Sequence, residues 1–146
     1  MYTTNAFADQ SLIMSAGVEI YGGFQAGDVD FSQRDPRTDL TILDGTLNSQ
    51  RVVICDVGYG SGTYGTLGCD SGSILDGFVV MRGNWGFGNG ATIGTSSTAQ
   101  APTFANVTFT DNTGTNGGGA VALTGGAAIF DKCTFASNES TDASSN

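Results

Sequence analysis

The chain has 146 residues, enough for one domain, with 14 acidic and 5 basic residues, no histidine and a net charge of −9. That balance excludes the clustered basic face a nucleic-acid partner needs and disfavours anionic membranes. The missing histidine excludes serine or cysteine nucleophiles that depend on an imidazole base within this chain, and no apolar run approaches transmembrane length.

The first ten residues, MYTTNAFADQ, carry no amphipathic pattern. VEIYGGF, Val18 to Phe24, then alternates apolar and polar residues before ending in glycines, the pattern of a half-buried strand. GDVDFSQRDPRTD follows, with Asp28, Asp30, Asp35 and Asp39 beside Arg34 and Arg37. Its mixed signs and its proline predict an ordered surface loop ahead of a metal site. TILDG, at 41 to 45, echoes SILDG, at 73 to 77, and the echo predicts equivalent places on one face for Asp44 and Asp76, with Arg82 nearby.

Between those segments, Cys55 and Cys69 flank DVGYGSGTYGTLG. A disulfide there would tie down an extended loop in an oxidising compartment; two free thiols are the equal alternative. Tyr59 and Tyr64 in this stretch, with Trp85 and Phe87 in GNWGFGNG, interrupt the coil pattern and should project as loops. Exposed rings flanked by small residues suit stacking against a sugar face, so these four are the candidate ligand-binding residues; rings folded back to seal the coil edge are the bland alternative.

Near the C-terminus PTFANVTFTDN recurs as AAIFDKCTFASN, pairing Phe104 with Phe130, Val107 with Cys133, Phe109 with Phe135 and Asn112 with Asn138 at one spacing of 26 residues. SILDGFVVMRGN matches more loosely, Leu75, Phe78, Val80 and Gly83 standing 29 residues before Phe104, Val107, Phe109 and Asn112. A fixed period of this length marks stacked repeats. Each copy reads as strand, then turn. Val107 and Phe109 point inward and Thr108 outward, Cys133 is a small buried hydrophobe, and Asn112 and Asn138 take the left-handed turn and bond stacked neighbours. Gly83 substitutes for the turn asparagine.

No segment supports an amphipathic helix, because Gly, Ser, Thr, Asn and Asp interrupt every apolar run. The pattern predicts a single all-β domain over residues 1–138, a single-stranded parallel β-helix of about five coils, with 139–146 as a polar tail. Such a stub would be about 24 Å long at the interstrand spacing. A β-sandwich is the alternative, with Asn89-Gly90 and Asn116-Gly117 as hairpin turns. Five coils would leave strand edges and apolar side chains open at both ends. Either the chain is a piece of a longer polypeptide, or copies stack end to end and cap one another.

The order GVEIYGGFQAGDVDFSQRDPRTDLTILDG, SILDGFVVMRGN, GGGAVAL, FTDN and FASN resembles the right-handed parallel β-helix repeat proteins secreted by bacteria, including the polymorphic outer-membrane protein repeats of chlamydiae. Those are marked by Gly-Gly-Ala-Ile and Phe-x-x-Asn tetrapeptides. Here Phe109 to Asn112 and Phe135 to Asn138 fit the second, and Gly118 to Val121 fit the first with Val for Ile. The resemblance implies a right-handed coil, an extracellular or cell-surface location and an adhesin-like role toward glycans or other cell-surface ligands, commonly within a longer protein.

Fold alone does not decide chemistry, since polysaccharide lyases and hydrolases share the β-helix. A lyase would bind calcium through clustered carboxylates, and a hydrolase needs two carboxylates at a set separation. Asp44, Asp76 and Arg82 are the catalytic candidates. An aspartate before glycine is more often a turn residue, so the structural reading leads and no resident cofactor or metal is expected. Outward Thr108 and Thr134, and the sequons at Asn106 and Asn138, add no stronger reading.

Overall fold

A computed structural model describes residues 11–46, 51–56, 68–85, 90–94, 101–115 and 117–141. Strands follow one another in a repeating order around the chain axis. The first coil holds β1 (Leu12–Ile13), β2 (Glu19–Tyr21) and β3 (Thr41–Asp44). The second holds β4 (Val53–Asp56), β5 (Ile74–Asp76), β6 (Phe78–Met81) and β7 (Asn84–Trp85). The third has β8 (Ala91–Gly94), β9 (Thr103–Ala105), β10 (Thr108–Thr110) and β11 (Thr113–Gly114), and the fourth β12 (Val121–Leu123), β13 (Ile129–Asp131), β14 (Thr134–Ala136) and β15 (Glu139–Ser140).

Corresponding strands of successive coils pair in parallel, forming sheets β1-β4-β8-β12, β2-β5-β9-β13, β3-β6-β10-β14 and β7-β11-β15. This is a parallel β-helix. Among the described residues no strand pair is antiparallel, which overturns the sandwich with its hairpins. One short 3-10 turn, Phe31–Gln33, is the helical element described.

Register follows the repeats residue for residue. Leu75 pairs with Phe104 and Phe104 with Phe130, while Val80 pairs with Phe109 and Phe109 with Phe135. Those positions face inward because the strand period of two puts every second side chain on the core side. Leu75, Val80, Phe104, Val107 and Phe109 are buried, as are Val53, Cys55, Ala91 and Ile93 from the opposite sheet. Stacked rings continue the columns, Phe109 over Phe135 at 5.1 Å and Phe104 over Phe130 at 5.5 Å.

Two sequence expectations change. VEIYGGF and TILDG belong to one coil, so four coils are described. Between β2 and β3 the chain detours through residues 22–40, whereas in the second coil Gly77 alone separates β5 from β6. Thr41 to Asp44 therefore pair with Phe78 to Met81, and Ile74 to Asp76 pair with Glu19 to Tyr21. The two ILDG segments lie on different sheets, and Asp44 and Asp76 are not equivalent. Their likeness is local, and the detour shifts the register.

The left-handed turn residue also differs. It is Arg82, Asp111 and Ser137, at φ 55°, 54° and 53°, one residue before Gly83, Asn112 and Asn138. A second left-handed set, Gly77, Asn106 and Lys132, turns the chain from the β2-β5-β9-β13 sheet into the β3-β6-β10-β14 sheet. Single residues in this region bend the coil sharply, at a steric cost borne by the stacking on either side. The strand β15 carries the coil into Glu139 and Ser140, past the tail boundary read from sequence.

Candidate functional site

Asp44 ends β3 and faces outward, where the register sets it beside Met81 and within reach of Arg82. The Arg82 guanidinium grips it with two nitrogens, Nε donating to Oδ1 at 2.9 Å and Nη2 to Oδ2. Thr46 donates to the same carboxylate from its backbone N–H and its hydroxyl. These donors, Arg82 first, hold the Asp44 carboxyl far below the usual carboxylate range. Arg82 is thus the neighbour of Asp44 and not of Asp76.

Asp76 has its own arginine. Arg34, in the detour loop, reaches over Gly77, with Nη1 donating to Asp76 Oδ2 at 3.1 Å and Nη2 paired to Oδ1 at 2.7 Å. Both side chains are largely buried. The Asn106 amide donates to Asp76 Oδ1 at 2.8 Å from the next coil, and Arg34 Nε donates to the carbonyl of Gly22. Gly77 is required here: its φ is +81°, and a Cβ would run into Arg34 and Pro36. Sequence alone does not give the Arg34 pair, because 42 residues separate the partners.

The loop that delivers Arg34 is ordered by its own acids. Asp30 accepts from the Ser32 N–H and, with Gln33, closes a capping box on the 3-10 turn. Asp28 accepts from the Gln25 N–H, Asp39 from the Gln25 side chain and Asp35 from the Arg37 N–H. Donation from Ser32 lowers the Asp30 carboxyl, and donation from the Arg37 backbone lowers that of Asp35. Phe31 packs edge-on against Tyr21 at 4.9 Å, and Arg34 lies over that tyrosine ring. This is the ordered surface loop read from its mixed charges.

Asparagines join coil to coil. Asn112, fully buried, accepts at Oδ1 from the Gly83 N–H and donates from Nδ2 to the Val80 carbonyl and to Asn138 Oδ1. Asn138 repeats the set, accepting the Asn112 N–H and donating to the Phe109 carbonyl. The stacking role read from the repeat is present; the left-handed role is not. Asn138 and Asn106 therefore hold both sequon amides in structural bonds.

Cys55 and Cys69 are buried and joined by a disulfide, which settles the alternative left open by their spacing. Cys133 is a free thiol facing inward on the last coil, bonded to the Phe104 carbonyl at 3.2 Å, and burial pushes its ionisation upward. Thr108 and Thr134 stack in register on the outer surface, with Val79 continuing the row.

Of the candidate sugar-binding aromatics, Tyr59, Tyr64 and Phe87 lie outside the described residues, as does the Trp85 side chain. The Trp85 backbone is part of β7, paired with Gly114, and so continues the coil where a projecting loop was expected. Among the described residues no three acidic, cysteine or histidine side chains converge as metal ligands.

No protein-family model, curated protein or solved structure matches this chain. The resemblance to bacterial surface repeats therefore rests on the tetrapeptides and their spacing. Chemically, the arrangement does one thing well: it locks each coil to the next. Glycosidases set two carboxylates about 5–10 Å apart around one bond, whereas Asp44 and Asp76 sit on different sheets, each in the grip of an arginine.

Proposed function

We propose that the protein is a structural, adhesin-like β-helix module of a secreted or surface-exposed protein, acting as a scaffold and not as a catalyst. The observation that carries this reading is the destination of its polar side chains. Asp44, Asp76, Asn106, Asn112 and Asn138 all bond to neighbouring coils. A catalytic carboxylate must instead meet substrate. The Cys55–Cys69 disulfide supports an oxidising, extracellular setting, where such bonds persist. Glycans or other cell-surface ligands are the partners that fit this role.

Incubation with polygalacturonate and calcium tests it. No unsaturated or reducing ends should form, and Asp44→Asn and Asp76→Asn should leave binding to immobilised cell-surface glycans unchanged. Calcium-dependent release of unsaturated ends, abolished by Asp76→Asn, would establish a polysaccharide lyase in its place.

A further inference from the structure

We propose that the loop between β2 and β3 holds a protonated amino-sugar glycan, seated on Phe24 and Phe31 and drawn in by Glu19, Asp28 and Asp30. The inference deepens the adhesin-like reading above, on which it rests, by naming the class of glycan. The loop leaves the first coil after Tyr21 and leans sideways on the second, with Arg34 paired to Asp76 and Pro36 close over Gly77. It therefore stands on the flank of the stack and not at an end. Phe31 is 57% exposed, Phe24 40% and Val29, between two aspartates, 92%.

These side chains are held out by bonds internal to the loop. The capping box of Asp30 and Gln33, with the bonds from Gln25 to Asp28 and Asp39, fixes the loop before anything docks, which lowers the ordering cost of binding. Phe31 meets Tyr21 edge-on at 4.9 Å and Phe24 at 5.9 Å, so three rings form one cluster. One side of it already takes a cation, the Arg34 guanidinium lying 5.3 Å from the Tyr21 ring centroid and 5.7 Å from that of Phe31. Carboxylates border the rest. Glu19 accepts from the Tyr21 hydroxyl at 2.7 Å, Asp28 accepts from the Gln25 N–H beside Phe24 at 2.7 Å, and Asp30 directly precedes Phe31.

Charge chooses the occupant. Residues 19–40 hold five acids, Glu19, Asp28, Asp30, Asp35 and Asp39, against Arg34 and Arg37. Asp76, outside this span, neutralises Arg34, so Arg37 alone opposes five carboxylates. The other basic residues are placed elsewhere: Arg51 is buried, Arg82 grips Asp44 and Lys132 lies beside Asp131 on the fourth coil. An acidic sugar is repelled here, and a neutral one leaves the negative charge unmet. A protonated amino sugar answers both features, its C–H face stacking on the exposed phenylalanines and its ammonium meeting the carboxylates and ring faces. A basic peptide matches the charge but brings rotatable stems to flat rings, at a larger ordering cost.

Calorimetric titration of the whole protein with a fully deacetylated glucosamine hexasaccharide tests this, at low salt and mildly acid pH, where sugar amines are protonated and the carboxylates ionised. Saturable binding is expected, and the double variant Asp28→Asn/Asp30→Asn should weaken it by about fivefold. Asparagine keeps the bonds these side chains accept and removes their charge, so the loop stays ordered. Phe31→Ala should weaken binding by a similar factor, and added salt should weaken it further. No binding, equal binding of the N-acetylated hexasaccharide, or undiminished affinity in the double variant would overturn the proposal. Tighter binding of oligolysine would also overturn it, assigning the face to a basic polypeptide. Polysaccharide turnover would defeat the scaffold reading while leaving this binding result untouched. Capture of other cell-surface glycans with no affinity for the deacetylated hexasaccharide would sustain that reading and sink this one.

Discussion

The side chains of Asn112 and Asn138 are hydrogen-bonded to each other, Nδ2 of the first donating to Oδ1 of the second at 2.9 Å, one coil apart. Each amide also bridges to backbone groups of the preceding coil, so a polar side chain does inside this stack what phenylalanine columns do by packing. A buried amide is stabilising only when its donors and acceptor are satisfied, and here they are.

Asn112→Leu keeps the branched outline of the side chain and removes the bonds. The Gly83 N–H and the Val80 carbonyl lose the amide they bond, while Asn138 Oδ1 loses one donor and keeps the backbone N–H of residue 112; each buried group left unpaired costs about 1–3 kcal/mol. The variant should lose about 3–5 kcal/mol of stability, read as a lower urea midpoint at unchanged slope. Asn138→Leu, at a half-buried position, should lose less than half as much. A wild-type midpoint for Asn112→Leu would show that the ladder carries no stability.

The repeats made the architecture legible, because a column of inward phenylalanines leaves an alternating, periodic trace in the sequence. Phe104 to Phe130 and Phe109 to Phe135 are read straight from spacing. What stayed hidden depends on the detour loop. Residues 22–40 displace TILDG by one sheet, so the ILDG echo misplaces Asp44 against Asp76, and Arg34 reaches its partner across a gap that no local pattern encodes. The left-handed turn falls one residue before the asparagine for a separate reason. Asn is the residue type suited to left-handed turns, yet stacking here recruits it for its amide, and Asp111 and Ser137 take the turn.

Ser137 stands at φ 53° and is exposed, so its side chain suffers the left-handed geometry without compensating contacts among the described residues. A β-branched residue is worse there than serine. Ser137→Val should cost about 1–2 kcal/mol, while Ser137→Gly should be neutral or slightly stabilising because glycine's greater unfolded freedom offsets its relief of strain. Thermal unfolding of the pair gives the comparison; equal melting points would remove strain as a factor.

Arg34→Ala leaves the largely buried Asp76 carboxylate with the Asn106 amide in place of an arginine, and opens space beside Gly77. Breaking a buried pair from one side costs about 3–5 kcal/mol. Arg34→Ala combined with Asp76→Asn should recover part of that loss, since no uncompensated charge remains. A double mutant no more stable than Arg34→Ala would mean that the arginine acts through packing on Tyr21 and Phe31 and not through the charge.

Cys55 and Cys69 close a segment with a sequence separation of 14. Cross-linking a loop of this size removes unfolded-state freedom worth about 3 kcal/mol. Replacing both cysteines with alanine should lower stability by about that amount while Cys133→Ser, tested beside it, changes it far less. Reducing agent should reproduce the loss in the parent chain and leave the double variant unmoved. Sensitivity of the double variant to reductant would place the effect elsewhere.

Acid should unfold this protein, and the sign follows from the direction of its shifted carboxyls. Asp44 is held low by Arg82, Asp30 by Ser32, Asp35 by the Arg37 backbone and Asp70 by the N–H groups of Gly17 and Gly72. A carboxyl depressed in the folded state stabilises it fully above the ordinary value near about 4, and that stability fades as pH falls and the folded form must take up protons. The melting temperature should therefore drop steeply from about pH 4 to about pH 2. The Asp44–Arg82 pair is exposed, so at neutral pH Asp44→Asn should cost about 1 kcal/mol or less, its main effect being a shallower acid slope. An acid slope identical to that of the parent would show that Asp44 contributes nothing to the pH dependence, and would leave the turn aspartates as its source.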